Sequence, residues 1–445
     1  MRILFINHIS NGPAFNSAVA ALSAFLKKHQ PSVKTCLMNV RGGNTVDSIL
    51  SEINSISPDM IAFSIHTPHW EHLSELISEI KKSVNALIVC GGYHPTLCPE
   101  EVMSHPGVDV ICIGEGERPL LELVRRLEDK RSYDDIPGLW VKKRSSLETK
   151  IVRNLLPEPE NLDDLPYWDR DIFLESGVPV GQFSLTHIEG FPMASGRGCP
   201  YHCNFCNNSS LLKMYSDQGH KGSRYVRKRS VNNVIAECEA LMEKYNAQSF
   251  EFWDEMFATD PEWVKTFCDR YTEKINKPFI CAIRVERADE TTLRRLHDAG
   301  CRCVFMGVEV GNENYRKKYL NRNMSNTAIE RAFEQARAVG LERFAWVMMG
   351  LPDETSEMID ETIAFILKIK PDIIGWSLFH PLPGTYLYQY CIEKGYLTEE
   401  AVFPYHGAPE YKVPLLKQPS ISKEDVIRFC DKFRKLEDLG FRVNK

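Results

Sequence analysis

The chain has 445 residues, enough for two or three domains with a core each, and its 43% hydrophobic and 26% charged content is that of an ordinary globular protein. A formal net charge of -6 gives no broad basic field for nucleic acid or an anionic membrane. Fourteen cysteines with no secretory leader, and no apolar run near the roughly 18–20 residues that span a bilayer, predict reduced thiols or metal ligands in the cytoplasm.

Residues 1–130 alternate short apolar runs with helical spacing. Ile3–Ile6, Met60–Ile65, Ala86–Cys90 and Val110–Ile113 read as buried parallel strands, because they are continuous and not alternating. Val19, Leu22, Phe25 and Leu26, then Leu73, Leu76, Ile77 and Ile80, fall on helix faces, which predicts a doubly wound, Rossmann-like α/β domain. Residues 131–185 carry prolines at 137, 157, 159, 166 and 179 and read as a linker, with Leu139–Val141 and Lys150–Val152 as a small hairpin. Across 186–385, six strands are expected at 191–195, 249–253, 279–283, 303–309, 343–348 and 373–379. Helices start at Ser230, Asp289, Ser325 and Thr355, and two of them end before Gly300 and Gly340. Six such units predict a partial (β/α)6 TIM-like barrel with its chemistry at the strand C-termini. Residues 386–445 form a helical extension, with Val426, Phe429, Cys430, Phe433 and Leu436 on one side of a helix.

The segment SGRGCPYHCNFCNNS places Cys199, Cys203 and Cys206 within eight residues, just after a predicted strand. A short loop can wrap three thiolates around one face of an iron–sulfur cube, whereas a helix would spread them. Four thiolates saturate such a cube, so three leave one iron open to a small molecule. Zinc is the competing reading, although no second ligand pair with standard spacing follows, and three structural cysteines are the other.

This CxxxCxxC loop, with Phe205 before its third cysteine, resembles the radical SAM superfamily. RYVRKRS (224–230), FEFWDEMF (250–257), GVEVG (307–311), GLPDET (350–355) and PLPGT (381–385) are similar to its cobalamin (B12)-binding-domain branch, the class B methyltransferase-like enzymes. The resemblance covers roughly residues 1–390. It implies a [4Fe-4S] cluster on Cys199, Cys203 and Cys206 that passes one electron to S-adenosylmethionine (SAM), giving methionine and a 5′-deoxyadenosyl radical. It also implies an electron donor such as flavodoxin or ferredoxin. Phe205, Asp254 or its neighbour Glu255, Arg284 and Glu309 are then expected to bind SAM, Arg284 pairing with its carboxylate; in the alternative these charges only satisfy one another.

For the N-terminal domain the resemblance implies cobalamin, with the nucleotide tail entering at the strand C-termini. Ser64 ends one strand, and GGYHPT (Gly91, Gly92, Tyr93, His94, Pro95, Thr96) and GEGE (Gly114, Glu115, Gly116, Glu117) are similar to loops that contact the corrin edge and the tail. The cobalt-ligating pattern D-x-H-x-x-G is absent; Asn7-His8 with Gly12 is the nearest feature. The tail base is therefore expected to be displaced without histidine replacing it, leaving His8, His66, His69 and His94 as hydrogen-bonding residues. The same fold can also persist without cobalamin. No G-x-G-x-x-G or P-loop opens the first helix.

Arg224, Arg227, Lys228 and Arg229 form a dense basic run, read as a solvated helix entry in preference to an RNA face. Cys301 and Cys303 read as packed thiols, and Trp346, Trp376, Phe379 and Tyr386 as cavity lining or core. The leading function is methyl transfer to an unactivated carbon of a small molecule or peptide: one SAM methylates cobalamin, a second supplies the radical, and the substrate radical takes the methyl group. The alternatives are ring formation, rearrangement or oxidation with the same cofactors, and a non-catalytic cobalamin or iron–sulfur sensor or carrier. A methylthiotransferase fits less well, because the N-terminal cysteines are scattered and the tail is helical.

Overall fold

Continuous apolar runs without alternation have to be covered on both faces, and they become the central strands of two parallel sheets. The computed structural model describes residues 1–9, 15–41, 43–145, 148–181, 186, 189–220, 222–397 and 415–444. Gly12 and residues 398–414 of the C-terminal extension lie outside the described residues. Internal contacts divide the chain into two units: Met1–Val180 together with Lys213–Arg224, and the remaining described residues.

In the first unit, β1 (Arg2–His8), β2 (Lys34–Val40), β3 (Met60–Ser64), β4 (Leu87–Gly91), β5 (Val110–Cys112), β6 (Leu139–Arg144) and β7 (Thr149–Arg153) form one sheet of order β2-β1-β3-β4-β5-β6-β7. The first five strands are parallel, and β6 and β7 run antiparallel. The strand order reverses between β1 and β3, which opens a crevice at their C-terminal ends. β2 is absent from the sequence reading because KTCLMNV mixes exposed Lys34 and half-buried Cys36 and Asn39 into its apolar run, as an edge strand does. The hairpin predicted within a linker instead extends the sheet at β5, with Val141 opposite Val110.

After β4 the chain turns sharply at Gly92, whose φ of +102° favours glycine. A Cβ there would sit 2.8 Å from both the amide nitrogen and the carbonyl oxygen of Ile65. Two backbone bonds accompany that close approach: Ile65 N donates to Gly91 O (2.8 Å), and Ile65 O accepts from His94 N (3.0 Å).

The second unit contains β8 (Phe191–Met193), the two-stranded antiparallel pair β9 (Gly196–Arg197) and β10 (Arg227–Lys228), then β11 (Phe250–Phe252), β12 (Phe279–Ala282), β13 (Cys301–Glu309), β14 (Glu342–Met349), β15 (Ile373–Leu378) and β16 (Arg442–Asn444). Its main sheet has the order β16-β15-β14-β13-β12-β11-β8 and is parallel throughout. The six predicted strands make the partial barrel, and intervening helices cover it. Ser230, Asp289, Ser325 and Thr355 each cap a helix by accepting a backbone N–H three residues on. Gly300 and Gly340 hold positive φ after their helices, as expected. The extension is not wholly helical: Lys423–Arg434 buries Val426, Phe429, Cys430 and Phe433, and β16 then adds a seventh parallel strand beside β15.

At the start of the barrel, one buried ionic knot ties three elements together. Asp254, after β11, accepts from Ser195 N (2.9 Å) and Ser195 Oγ (2.6 Å), and Lys228 Nζ of β10 lies 2.9 Å from its Oδ1. Lys228 also packs over the rings of Trp263 and Phe257, at 4.5 and 5.0 Å. Arg229 beside it reaches Glu237 (2.5 Å) and the carbonyl of Ala194 (2.9 Å), so these two members of the basic run are engaged inside the fold. Among the described residues, no helix is long and apolar enough to cross a membrane.

Replacing Lys228 by Met strands the Asp254 carboxylate; a loss of roughly 3–5 kcal/mol is expected in denaturant unfolding. Gly92→Ala should cost about 1–3 kcal/mol by the same measurement, through backbone strain and the clash with Ile65.

Candidate functional site

The three cysteines lie in a loop between β9 and the helix Asn207–Asp217. The chain enters it through Gly198, at φ +84°, where a Cβ would approach the Tyr225 carbonyl to 2.8 Å. Cys203 is buried, and Cys199 and Cys206 are half-buried. Without regular structure of its own, the loop is held by its neighbours. Asn204 donates from its amide to Leu320 O (3.2 Å) and from Nδ2 to Tyr319 O (2.8 Å), both at the C-terminal end of the helix Glu313–Leu320. Asn321, which caps that helix, donates from Nδ2 to His202 O (2.7 Å). Ser209 Oγ bonds the carbonyls of Cys203 (2.9 Å) and Cys206 (2.8 Å), and Leu387 N donates to Asn204 O (3.0 Å).

Two guanidinium groups converge on Cys203. Arg284 Nη1 is 3.4 Å from its sulfur, and the group lies over the Tyr201 ring, 3.7 Å from its centroid, while pairing with Glu286 (2.6 Å). Arg322 Nη1 lies 4.0 Å from the same sulfur and 3.0 Å from Glu309 Oε1, and its Nη2 donates to Gly307 O (2.8 Å). Burial pushes the Cys199 thiol up to about 11 and raises that of Cys206, so cationic neighbours are what a ligating thiolate requires here. The three sulfurs do not converge within 4.8 Å, as the ligands of a single ion do. Wide spacing with local positive charge fits a polynuclear cluster better than zinc.

Beside the loop, a cavity of roughly 280 Å³ opens at the C-terminal ends of the barrel strands, with Glu255, Arg284, Glu309, Arg322 and Trp346 in its wall. Carboxylates and guanidiniums facing one small space suit a zwitterion such as SAM. Of the residues expected at SAM, Arg284 and Glu309 line this cavity, and Phe205 sits half-buried in the cysteine loop. Asp254 is buried and outside the cavity wall, its carboxylate engaged by Ser195 and Lys228, while Glu255 next to it takes a place in the wall. Burial raises the Glu309 carboxyl and the Arg322 charge opposes that shift. Arg322, which the sequence reading missed, stands in a polar loop with no motif. Fully buried Arg316 fixes that loop by donating to Met324 O (3.0 Å) and Asn326 Oδ1 (2.6 Å). Trp346 faces the cavity, Trp376 stacks at 6.1 Å on Phe433, and Tyr386 is exposed. Cys301 and Cys303 are buried in β13, Cys301 Sγ against the carbonyl of Cys303.

In the first unit, the crevice between β1 and β3 is walled by histidines. His8 ends β1, with its ring centroid 4.4 Å from His69 and 5.1 Å from His72; His66 lies 5.7 Å from His69 and 5.6 Å from Tyr93. Burial, reinforced by His72, lowers His8 to about 4, so its ring is neutral at ordinary pH. His72 was also missed, since a histidine inside a helical pattern reads as surface. Ser64, Gly91, Gly92, Tyr93, Gly114, Glu115 and Gly116 are half-buried at the strand ends, whereas His94, Pro95, Thr96 and Glu117 are buried. Gly114 N donates to Thr96 Oγ1 (3.1 Å), which joins the two glycine-bearing segments. Accessible small residues beside the neutral His8 ring at a switch point fit the edge of a large planar ligand such as cobalamin.

The B12 binding domain family matches residues 6–124, and the radical SAM superfamily matches residues 193–366. An uncharacterized methyltransferase of Pyrococcus horikoshii is 27% identical over 359 residues, covering 79% of this chain and 73% of that protein. The anaerobic magnesium-protoporphyrin IX monomethyl ester cyclase of Rubrivivax gelatinosus is 25% identical over 416 residues, covering 87% of this chain and 70% of its own. The fold is shared with the radical S-adenosylmethionine methyltransferase TsrM from Kitasatospora setae (TM-score 0.69, 17% identity, 88% of this chain and 76% of that one). It is also shared with the cobalamin-dependent S-adenosylmethionine radical enzyme OxsB (TM-score 0.70, 18% identity, 99% and 67%). A B12-type α/β unit followed by a partial barrel that carries a three-cysteine loop makes this chain a member of the cobalamin-binding-domain radical SAM family of enzymes.

Proposed function

We propose that this enzyme is a C-methyltransferase acting on an unactivated carbon of a small molecule or peptide. The observation that carries the reading is the pair of guanidiniums at Cys203 beside a cavity walled by Glu255, Glu309, Arg284 and Arg322, in a chain that also carries a B12 binding domain. When bound, the cluster, SAM and cobalamin together supply one-electron bond cleavage and a transferable methyl group.

The chain's own residues hold and shield these groups. Cys199, Cys203 and Cys206 would ligate the cluster, and Arg284 and Arg322 offset the charge of its thiolates. The same two guanidiniums are presented to the SAM carboxylate, and Glu309 and Glu255 to its ammonium and ribose hydroxyls. Asp254 keeps Ser195 and Lys228 in place behind that wall. Trp346 and its apolar neighbours in the wall exclude water from the reacting atoms. In the first unit, Ser64 and the segments 91–96 and 114–117 would receive the corrin edge and tail, with neutral His8 as a hydrogen-bonding neighbour in place of a cobalt ligand. A flavodoxin or ferredoxin would deliver electrons in a reducing cytoplasm.

Anaerobic turnover of the reconstituted enzyme with its substrate should produce S-adenosylhomocysteine and 5′-deoxyadenosine together, in near-equal amounts by mass spectrometry. Formation of 5′-deoxyadenosine alone would sink the methyl-transfer step and favour ring formation, the chemistry named for the Rubrivivax relative. Arg322→Met should shift the cluster midpoint potential negative by on the order of 60 mV in an EPR-monitored titration, a tenfold change in a one-electron equilibrium. Arg322→Lys, which keeps the charge, should recover most of that shift.

A further inference from the structure

A second group of ligand-type side chains lies in the first unit, beginning at buried His94 within the segment 91–96 and continuing past it, separate from the three-cysteine loop. His94 belongs to the short helix Tyr93–Leu97, Cys98 follows it directly, and Glu101 lies in the next helix, Pro99–Ser104. One ligand atom from each falls within 4.8 Å of the other two. His94 is only 2% exposed, yet neither of its ring nitrogens has a hydrogen-bond partner. Its Nε2 stands 3.6 Å from Glu101 Oε2, too far for a good hydrogen bond.

A buried imidazole with nothing to bond is destabilising unless something occupies the gap. Zinc-type bonds of about 2.0–2.3 Å to nitrogen, oxygen and sulfur place neighbouring tetrahedral ligands some 3.3–3.7 Å apart, by simple trigonometry on those lengths. The His94–Glu101 pair already has that separation, and the Cys98 thiol, which hydrogen-bonds Glu101, lies within 4.8 Å of both. Glu101 also accepts from the Trp70 indole, and the Trp70 ring lies 5.2 Å from that of His94. An outer partner of this kind orients a ligating carboxylate.

We propose that His94, Cys98 and Glu101 bind one divalent transition ion of the zinc type, with water in the fourth position. A nitrogen, sulfur and oxygen set selects such an ion over magnesium or calcium. Binding releases the Cys98 thiol proton to solvent, His94 ligates as neutral imidazole and Glu101 as carboxylate, and no electron moves. The site stands independently of the radical chemistry, so methyl transfer can fail and the site survive, or the reverse.

The test uses the full chain with Cys199, Cys203 and Cys206 each changed to Ala, prepared without cobalamin, stripped of metal and titrated with Co2+ alone. One equivalent should bind, with a thiolate-to-cobalt charge-transfer band in the near ultraviolet and strong tetrahedral bands in the visible, all abolished by excess Zn2+. Cys98→Ser should remove the charge-transfer band. Glu101→Gln, at a half-exposed side chain that the fold tolerates, should weaken Co2+ binding, and Trp70→Phe should weaken it about tenfold. In the cluster-loaded enzyme with all cysteines intact, elemental analysis should find one zinc per chain that Cys98→Ser loses. Failure to take up Co2+, or a charge-transfer band that persists in Cys98→Ser, overturns the proposal.

Discussion

A loop that presents three thiols to one cofactor has no helix or strand of its own to pair its backbone, and every buried polar group in it has to be satisfied from outside. Much of the barrel's local design follows from that requirement. Asn204 and Asn321 fasten the loop to the last carbonyls and the cap of the helix Glu313–Leu320, groups that a helix end leaves unbonded in any case. Ser209 closes the loop on itself, and the backbone after PLPGT holds it from the far side. Supports as far apart in sequence as Asn204, Asn321 and Leu387 thus meet at one loop.

The second demand is electrical. Deprotonated thiols and carboxylates in a partly dry cavity are stable only beside fixed positive charge. Arg284 and Arg322 supply it at Cys203, and each is itself neutralised, by Glu286 and Glu309 respectively. Arg316 sits one layer further back and donates to neutral oxygens, of Val310 after β13 and of Met324 and Asn326 beyond Arg322. The paired charges are densest at the sulfur, whereas buried Arg316 behind them is held by carbonyl and amide oxygens alone.

What the sequence disclosed depended on how local each signal was. Helix caps at Ser230, Asp289, Ser325 and Thr355 were legible because a cap is made within three residues. The cysteine loop was legible because its spacing is its geometry. Asp254 and Glu255 were not separable, since adjacent residues at a strand end point to opposite sides and only register decides which faces the cavity. β16 and Arg322 were invisible for a related reason: three residues after a helix, or an arginine in a polar loop, acquire meaning only when distant elements come to lie beside them. The hairpin β6–β7 was seen as local structure, but its addition to the sheet edge at β5 is a long-range event.

The first unit is not one continuous stretch of chain: it takes in Lys213–Arg224 as well as Met1–Val180. Within it, Glu115 N lies 3.4 Å from the Tyr215 hydroxyl, and Leu156 N donates to Gln218 Oε1 (2.7 Å). A fragment cut after Val180 would lose both of these partners. For recombination, natural or engineered, the consequence is that the α/β unit cannot be exchanged as a bead on a string. A chimera that borrows it has to borrow twelve residues from the middle of the other unit's sequence at the same time.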